Sequence, residues 1–232
     1  MTIALIFLLA AFVQSSVGFG FALVSMPLLA RVLALQTATP LVALLALAVE
    51  GVILLRYRRA FQWSDIRSLS LVSLTSIPLG VFLLRYLPGD VVATILGVIL
   101  CAYAVYALLR PALPNLVHSA WAYGFGFLAG LLGGAYSISG PPVIVYGSCR
   151  RWEPAQFKSN LQGFFLVNGS FVFLAHALSG NVTAQVWQAA APALPGMALG
   201  LLLGFMVSRR LDARHFRRAV LLLLLALGMS LF

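Results

Sequence analysis

Two stretches of small and hydroxyl-bearing residues interrupt apolar runs of this sequence, one from Gln14 to Gly20 and one from Gly133 to Pro142. At membrane depth such breaks survive only where they are buried in protein or line a polar cavity. Each break precedes a new apolar run that predicts a short helix, and helix N-termini attract anions through free N–H groups and a partial positive charge. The pattern indicates an anion site between two half-helices at mid-membrane. Its candidate ligands are Gln14, Ser15, Ser16, Gly18, Gly20, Ser137, Ser139 and Gly140.

Three further polar residues extend this candidate site. Lys158 precedes a helix whose start is expected to face the second break, so it is a candidate for attracting the anion. Glu50 lies inside an apolar run, and an ionisable group there typically marks an ion or proton pathway. Its counterpart in the second half of the chain is Asn168. We therefore expect Glu50, with Asn168, to be the candidate for ion coupling; the alternative is that Glu50 extends to the membrane interface or pairs with Arg56 or Arg58.

The composition places the chain in a membrane. Of its 232 residues, 62% are apolar and 9% are charged, whereas a soluble domain carries about 25% charged residues. Soluble enzymes, fibrous proteins and disordered chains are therefore excluded. The net charge of +10 comes from basic residues at the ends of apolar runs, without the basic face that nucleic-acid binding requires. The two cysteines lack metal-ligand spacing, so no metal is expected. Nucleic acid and a cofactor are not expected either.

Hydropathy and internal similarity predict two halves, residues 1–110 and 111–232. Each half opens on a long interrupted segment, Met1–Ala30 or Ser119–Cys149. Alignment of Pro27 with Pro142 also aligns Gly18 with Gly133, and a shared order of breaks and turns is typical of duplicated transporter folds. Six ordinary spanning helices follow from apolar windows of about 20 residues. They lie near Thr39–Leu55, Ser68–Leu84, Val91–Leu109, Asn160–Leu178, Gln185–Val207 and His215–Phe232.

The distribution of Lys and Arg predicts the topology, because cytoplasmic loops are rich in these residues. If Ser119–Cys149 crossed the membrane once, the two sides would hold 10 and 5 of them. If it enters and leaves on one side, the numbers become 13 and 2, with only Arg31 and Arg85 on the poorer side. The predicted fold class is an all-α polytopic membrane protein with two inverted repeats. Each repeat is a broken, re-entrant helical hairpin plus three transmembrane helices, and both termini lie outside.

The chain resembles the TauE/SafE family of sulfite and organosulfonate exporters in four features. These are the array of hydrophobic segments, the break before Pro27, its counterpart before Pro142, and the turns Pro78–Gly80 and Pro195–Gly196. The resemblance covers almost the whole chain. It implies a multi-pass secondary transporter of the cell inner membrane that exports small sulfur-containing anions such as sulfite or sulfonates. Its partners would be the anion, the lipid bilayer and a proton or other coupling ion. Homo-oligomer formation is left open.

Two other functions also stay open. Residues Ser137 to Gly140 resemble the serine motif of rhomboid intramembrane proteases, and His176 could complete a Ser–His dyad. The same break occurs in the first half without a histidine, so an enzyme is not expected. An anion channel would also use the two breaks, but its flux would not saturate.

Overall fold

The computed structural model describes residues 1–109, 113–116, 118–207 and 213–232. Three of the basic residues counted for the topology, Arg110, Arg209 and Arg210, lie outside these ranges. Within them the chain forms ten α-helices and no strand, and a 3-10 turn, Arg58–Ala60, follows the third helix. The helices are α1 (Thr2–Val17), α2 (Phe21–Leu29), α3 (Leu35–Tyr57), α4 (Trp63–Tyr86), α5 (Gly89–Leu109), α6 (Trp121–Tyr136), α7 (Gly140–Cys149), α8 (Pro154–Leu178), α9 (Ala184–Val207) and α10 (Ala213–Met229).

Five helices in the described part of the chain are long and apolar enough to cross a membrane, namely α3, α4, α5, α8 and α9. The sixth predicted span corresponds to α10, in which only the shorter stretch Arg218–Met229 is apolar, less than the roughly 20 apolar residues of an ordinary crossing. Three helices begin at least four residues earlier than predicted: α3 starts at Leu35 rather than Thr39, α4 at Trp63 rather than Ser68, and α8 at Pro154 rather than Asn160. The first turn of α8 is polar and is closed by a capping box on Glu153, so an apolar window misses it.

Both interrupted segments consist of a longer helix, a break and a shorter helix. α1 and α6 have 16 residues each, about 24 Å at 1.5 Å per residue, which is less than the roughly 30 Å of a hydrocarbon core. The ends of the second segment meet, since the Leu116 N–H donates to the Cys149 carbonyl (3.2 Å) and the Arg150 guanidinium donates to the Leu116 carbonyl (2.8 Å). The α6–α7 segment therefore enters and leaves the helix bundle at one place.

The same helix contacts recur in the two halves with the partners exchanged. α1 packs on α9, and its counterpart α6 packs on α4, the counterpart of α9. α3 packs on its own counterpart α8: Leu47 of α3 lies against Gly169, and Phe61, in the connection that follows α3, lies against Gly163, nearer the start of α8. These two contacts make α3 and α8 antiparallel. Opposite directions of corresponding helices support the inverted repeat, which itself stays a prediction.

The loop between α3 and α4 touches the start of α8. The Gln62 N–H donates to Asn160 Oδ1 (2.9 Å), and the Gln156 amide donates to the Asp65 carboxylate. The α3–α4 and α7–α8 connections therefore lie at one end of the bundle. At the opposite end, Arg85 near the end of α4 reaches the Ser179 carbonyl after α8 (3.5 Å).

We call the end of the bundle that holds the α3–α4 and α7–α8 connections the basic end, and its excess of Lys and Arg predicts that it faces the cytoplasm. Cysteines introduced there, at Ser64 and Ala155, should therefore react with a membrane-impermeant maleimide only after the cells are opened. A cysteine at Thr183, in the α8–α9 connection, should react in intact cells. Cys101 and Cys149 would first be replaced by alanine. Labelling of Ser64 and Ala155 from opposite sides would contradict the re-entrant topology.

Glycines at every fourth position allow two helix pairs to approach closely. The series are Gly126, Gly130 and Gly134 on α6, facing α4, and Gly196, Gly200 and Gly204 on α9, facing α1. A Cβ on Gly130 would meet the carbonyl oxygen of Ser73, and one on Gly200 would meet that of Leu8. Such small residues are typical of helix contacts in membranes, where close backbone approach supplies much of the attraction. These contacts fix α1 and α6, the helices that carry the two breaks.

Candidate functional site

A small cavity lies where the two breaks meet. Its volume is about 30 Å³, and roughly 10–15 Å³ holds one water molecule. An oxyanion with four or more non-hydrogen atoms needs a wider space, so the site must open to admit one. The lining residues come from both broken segments and from α3 and α8. They are Gln14, Gly20, Phe21, Ala22, Leu23, Ala46, Glu50, Ser137, Ile138, Ser139, Gly140 and Phe165.

The first break is a glycine turn between α1 and α2. Gly18 ends α1 with φ 94°, and Gly20 precedes α2 with φ 115°, a region that favours glycine because it has no Cβ. The Gln14 side-chain oxygen accepts a hydrogen bond from the Phe21 N–H (2.9 Å) and so caps the first donor of α2. The following residues of that first turn, Ala22 and Leu23, line the cavity. Their N–H groups belong to the donors that a helix start leaves without intrahelical partners.

Gln162 of α8 holds this break in place, and our sequence reasoning missed it. Its Nε2 donates to the Gly18 carbonyl (2.6 Å), while its Oε1 accepts from Nε2 of Gln14 (3.1 Å). Gln14 and Gln162 are buried, so the pair satisfies polar atoms that would otherwise be costly to bury. A side-chain amide inside the apolar run of α8 was the signal that could have identified Gln162.

The second break is built differently. Ser137, not a glycine, takes the left-handed conformation at the end of α6 (φ 55°). Its hydroxyl donates to the Thr39 carbonyl (3.1 Å), and the Thr39 hydroxyl donates to the Ala135 carbonyl (3.2 Å). α7 begins Gly140-Pro141-Pro142, and proline has no N–H. The second helix start therefore offers fewer backbone donors than the first, and Ser139 and Gly140 are its polar contribution to the cavity.

Glu50 is the one ionisable residue among those that line the cavity. Its side chain is buried, and Oε2 has no hydrogen-bond partner among the described residues. Gly169 of α8 lies beside it, and a Cβ there would be 3.6 Å from Oε2, an ordinary van der Waals distance. The expected alternative partner, Arg56, instead lies over the ring of Phe205, 4.9 Å from its centre.

The other predicted site residues lie outside the lining of this cavity. The Ser15 hydroxyl donates to the Ala11 carbonyl (2.7 Å) and the Ser16 hydroxyl to that of Gly204 on α9 (3.4 Å). The Asn168 amide donates to the Ser73 hydroxyl on α4 (3.0 Å). These residues contribute to helix packing.

Lys158 lies against Gly18 of the first break. Lys158 Cγ is 3.2 Å from the position that a Cβ on Gly18 would occupy. The Lys158 ammonium lies over the Tyr57 ring, 5.4 Å from its centre, a distance at which a cation is attracted to the ring face. The structure thus brings Gln14, Gly20, Ser137, Ser139, Gly140 and Glu50 together around the cavity and leaves Lys158 and Gly18 next to it.

His176 does not contact the serines of the second break. One ring nitrogen bonds to the Gly134 carbonyl (2.8 Å) and the other to the Asn181 side-chain nitrogen (2.9 Å). Both nitrogens are therefore occupied, and neither is free to activate Ser139. Within the described ranges no group of three or more His, Cys, Asp or Glu side chains could hold a metal ion.

In the described ranges the protein is all-helical, and its two discontinuous segments meet at a buried cavity with polar residues from both, a construction that is typical of membrane transporters. The chain belongs to the TauE/SafE family, since the family described as "Sulfite exporter TauE/SafE" matches residues 3–231. A relative from Cupriavidus necator, "Probable sulfite/organosulfonate exporter TauE", is 28% identical over 225 residues, covering 94% of this chain and 88% of the relative. No solved structure matches the chain. The family is one of transporters, so the protein is a multi-pass membrane transporter and not an enzyme, and the protease alternative is wrong.

Proposed function

We propose that this protein exports small sulfur-containing oxyanions, of the sulfite or sulfonate type, across the inner membrane. The observation that carries the proposal is the cavity shared by the two breaks, in which polar residues of both halves face one another. The name of the relative from C. necator supports the choice of anion. Sulfite and sulfonates present several oxygen atoms in a compact group, which suits a site built from several separate donors.

Neutral donors would hold the anion. No Lys, Arg or His is among the residues that line the cavity, so the attraction comes from the N–H groups at the start of α2, the hydroxyl of Ser139 and the partial positive charges of two helix starts. We infer that Ala22, Leu23 and Ser139 contact the anion directly. Gln14 does not contact the anion itself in this scheme, because its side-chain oxygen already accepts the hydrogen bond of the Phe21 N–H. It positions the start of α2.

Glu50 would carry the coupled proton. An ionised carboxylate in the same small cavity would repel the anion strongly, because charges interact at short range and without bulk water between them. The repulsion disappears when Glu50 holds a proton, so the anion and one proton occupy the site together and move in the same direction. Net export by this scheme requires an outward gradient of the anion that exceeds the inward gradient of protons. Asn168, which corresponds to Glu50 in the second half, cannot ionise, and its hydrogen bond to Ser73 assigns it a structural role in this scheme.

The inverted arrangement supplies a route for alternating access. The α6–α7 hairpin has both ends at the basic end of the bundle, and the repeat predicts that the α1–α2 hairpin enters from the other side. Rocking of one half against the other would then open the cavity to each side in turn. A carrier of this kind saturates, whereas a channel does not, so saturation separates the two.

We expect Ser139→Ala to raise the KM for anion flux into proteoliposomes about tenfold, because a hydrogen bond to a charged group contributes roughly 1.5–3 kcal/mol. Ser16→Ala is the matched control: its hydroxyl bonds to Gly204, and its KM should stay close to that of the unmodified protein. The substrates would be sulfite, sulfate, thiosulfate, sulfoacetate and a carboxylate, with and without a pH gradient. Saturable sulfite or sulfonate flux supports the proposal; absence of flux for every sulfur anion, or equal KM values for the two variants, contradicts it.

A further inference from the structure

A second, larger cavity lies on the lipid-facing side of α4 and α8, near the ends of both helices. Its volume is about 370 Å³, within the range of roughly 300–1,000 Å³ that is typical of small-molecule sites. Its walls are mainly apolar and include Phe82 of α4 and Phe171, Leu174 and Leu178 of α8. It shares no residue with the cavity between the two breaks. We call it the α4–α8 groove.

A single basic side chain stands at the end of this groove. Arg85 is exposed, and its guanidinium is 3.5 Å from the Ser179 carbonyl, longer than the usual 2.7–3.2 Å of an N–H···O hydrogen bond. No Asp or Glu is among the residues that line the groove. Among the described lining residues the guanidinium therefore has no acidic partner, and an anion in the groove could bind to it.

The position of Arg85 matches the level of lipid headgroups. It lies at the next-to-last residue of α4, beside the last turn of α8, and its neighbour Tyr86 is also exposed. Tyrosine is enriched at the membrane–water interface. The apolar part of the groove extends from there toward the membrane interior, past Phe171 and Pro78. A basic end at headgroup level joined to an apolar trough is complementary to a lipid, in which a phosphate is joined to an acyl chain.

We propose that the α4–α8 groove binds one anionic phospholipid, with an acyl chain along Phe82, Phe171 and Leu174 and the phosphate on Arg85. The planar guanidinium can donate two parallel hydrogen bonds to phosphate oxygens. The apolar trough accepts the chain of any lipid, and Arg85 selects for negative charge. Because α4 belongs to the first half of the chain and α8 to the second, the bound lipid bridges the two halves.

The test uses the full chain, purified in detergent and mixed with equal amounts of phosphatidylglycerol and phosphatidylcholine of the same chain length. Native mass spectrometry then counts each lipid retained per protein. The unmodified protein should retain phosphatidylglycerol in preference, and Arg85→Gln should remove that preference. Leu174→Trp, which fills the trough while keeping Arg85, should reduce retention of the lipid, whereas Leu202→Trp, an exposed position of α9 outside the groove, should not.

Three results of the lipid-retention measurement would overturn the proposal. They are equal retention of the two lipids by the unmodified protein, a preference that survives Arg85→Gln, and retention that is unaffected by Leu174→Trp. Inorganic phosphate added in excess should not displace the lipid, because it cannot fill the trough. Displacement by phosphate would assign Arg85 to a soluble anion instead and would also overturn the proposal.

Discussion

Replacement of Glu50 by glutamine should abolish the dependence of anion transport on the pH gradient. If one proton moves with each anion, a gradient of one pH unit is worth about 1.4 kcal/mol and supports a roughly tenfold concentration ratio of the anion. Glutamine has the same shape as a protonated glutamic acid and keeps a donor in the cavity, but it cannot release a proton. Glu50→Gln should therefore exchange anion across the membrane without accumulating it.

Two measurements on proteoliposomes separate this result from simple inactivation. Counterflow, in which unlabelled anion inside exchanges for labelled anion outside, needs binding and the conformational change but no net proton movement, so Glu50→Gln should retain it. Accumulation driven by a pH gradient should be lost. Asp90→Asn, at an exposed acidic position in the first turn of α5, is the control and should keep both activities. A Glu50→Gln protein that still accumulates anion would show that Glu50 does not carry the coupled proton.

The second large effect is expected for Gly130→Ala. A Cβ at this position would overlap the carbonyl oxygen of Ser73 and the hydroxyl of Ser76. The backbone of α4 cannot move aside as a flexible side chain could, and overpacking of this kind costs about 1–3 kcal/mol. The α4–α6 contact should separate, and the second break should move with it. We expect a melting temperature in detergent several degrees lower than that of the unmodified protein, together with loss of transport.

Gly124→Ala provides the matched control on the same helix, because no atom lies within 4 Å of its Cβ position. Alanine is a better helix former than glycine, so this control should melt at the same temperature or slightly higher. Gly200→Ala, against the Leu8 carbonyl, should reproduce the loss in the other half. Equal melting temperatures for Gly130→Ala and Gly124→Ala would argue against close α4–α6 packing as a source of stability.

The positions of both breaks could be predicted because glycine and proline act locally. Gly18 and Gly20 have the positive φ values that only glycine adopts easily, and the proline pair at 141–142 begins a helix, as proline often does. Glu50 could be identified for a similar reason, since a carboxyl group in an apolar run is conspicuous without any knowledge of the fold. Membrane location followed directly from composition.

The assignment of individual side chains to the cavity could not be made from the sequence. Successive residues of a helix point about 100° apart, so Gln14, Ser15 and Ser16 face three directions, and only the packing of α1 decides which one reaches the cavity. That packing depends on α9 and Gly204, far along the chain. Gln162 was missed for the same reason, because its role depends on a contact with Gly18 across 144 residues.

The pairing of α1 with α9 also bears on how the protein is made. Ribosomes add about 5–20 residues per second, so α1 is synthesised some 10–40 s before the glycine face of α9 that it packs against exists. α6 has no such delay, since its partner α4 is already in the membrane when it is made. The second hairpin can therefore dock during synthesis, whereas the first must wait beside the growing bundle with its polar break uncovered. During that interval, an insertase or chaperone that shields polar backbone in the bilayer would have its substrate at the N-terminal hairpin.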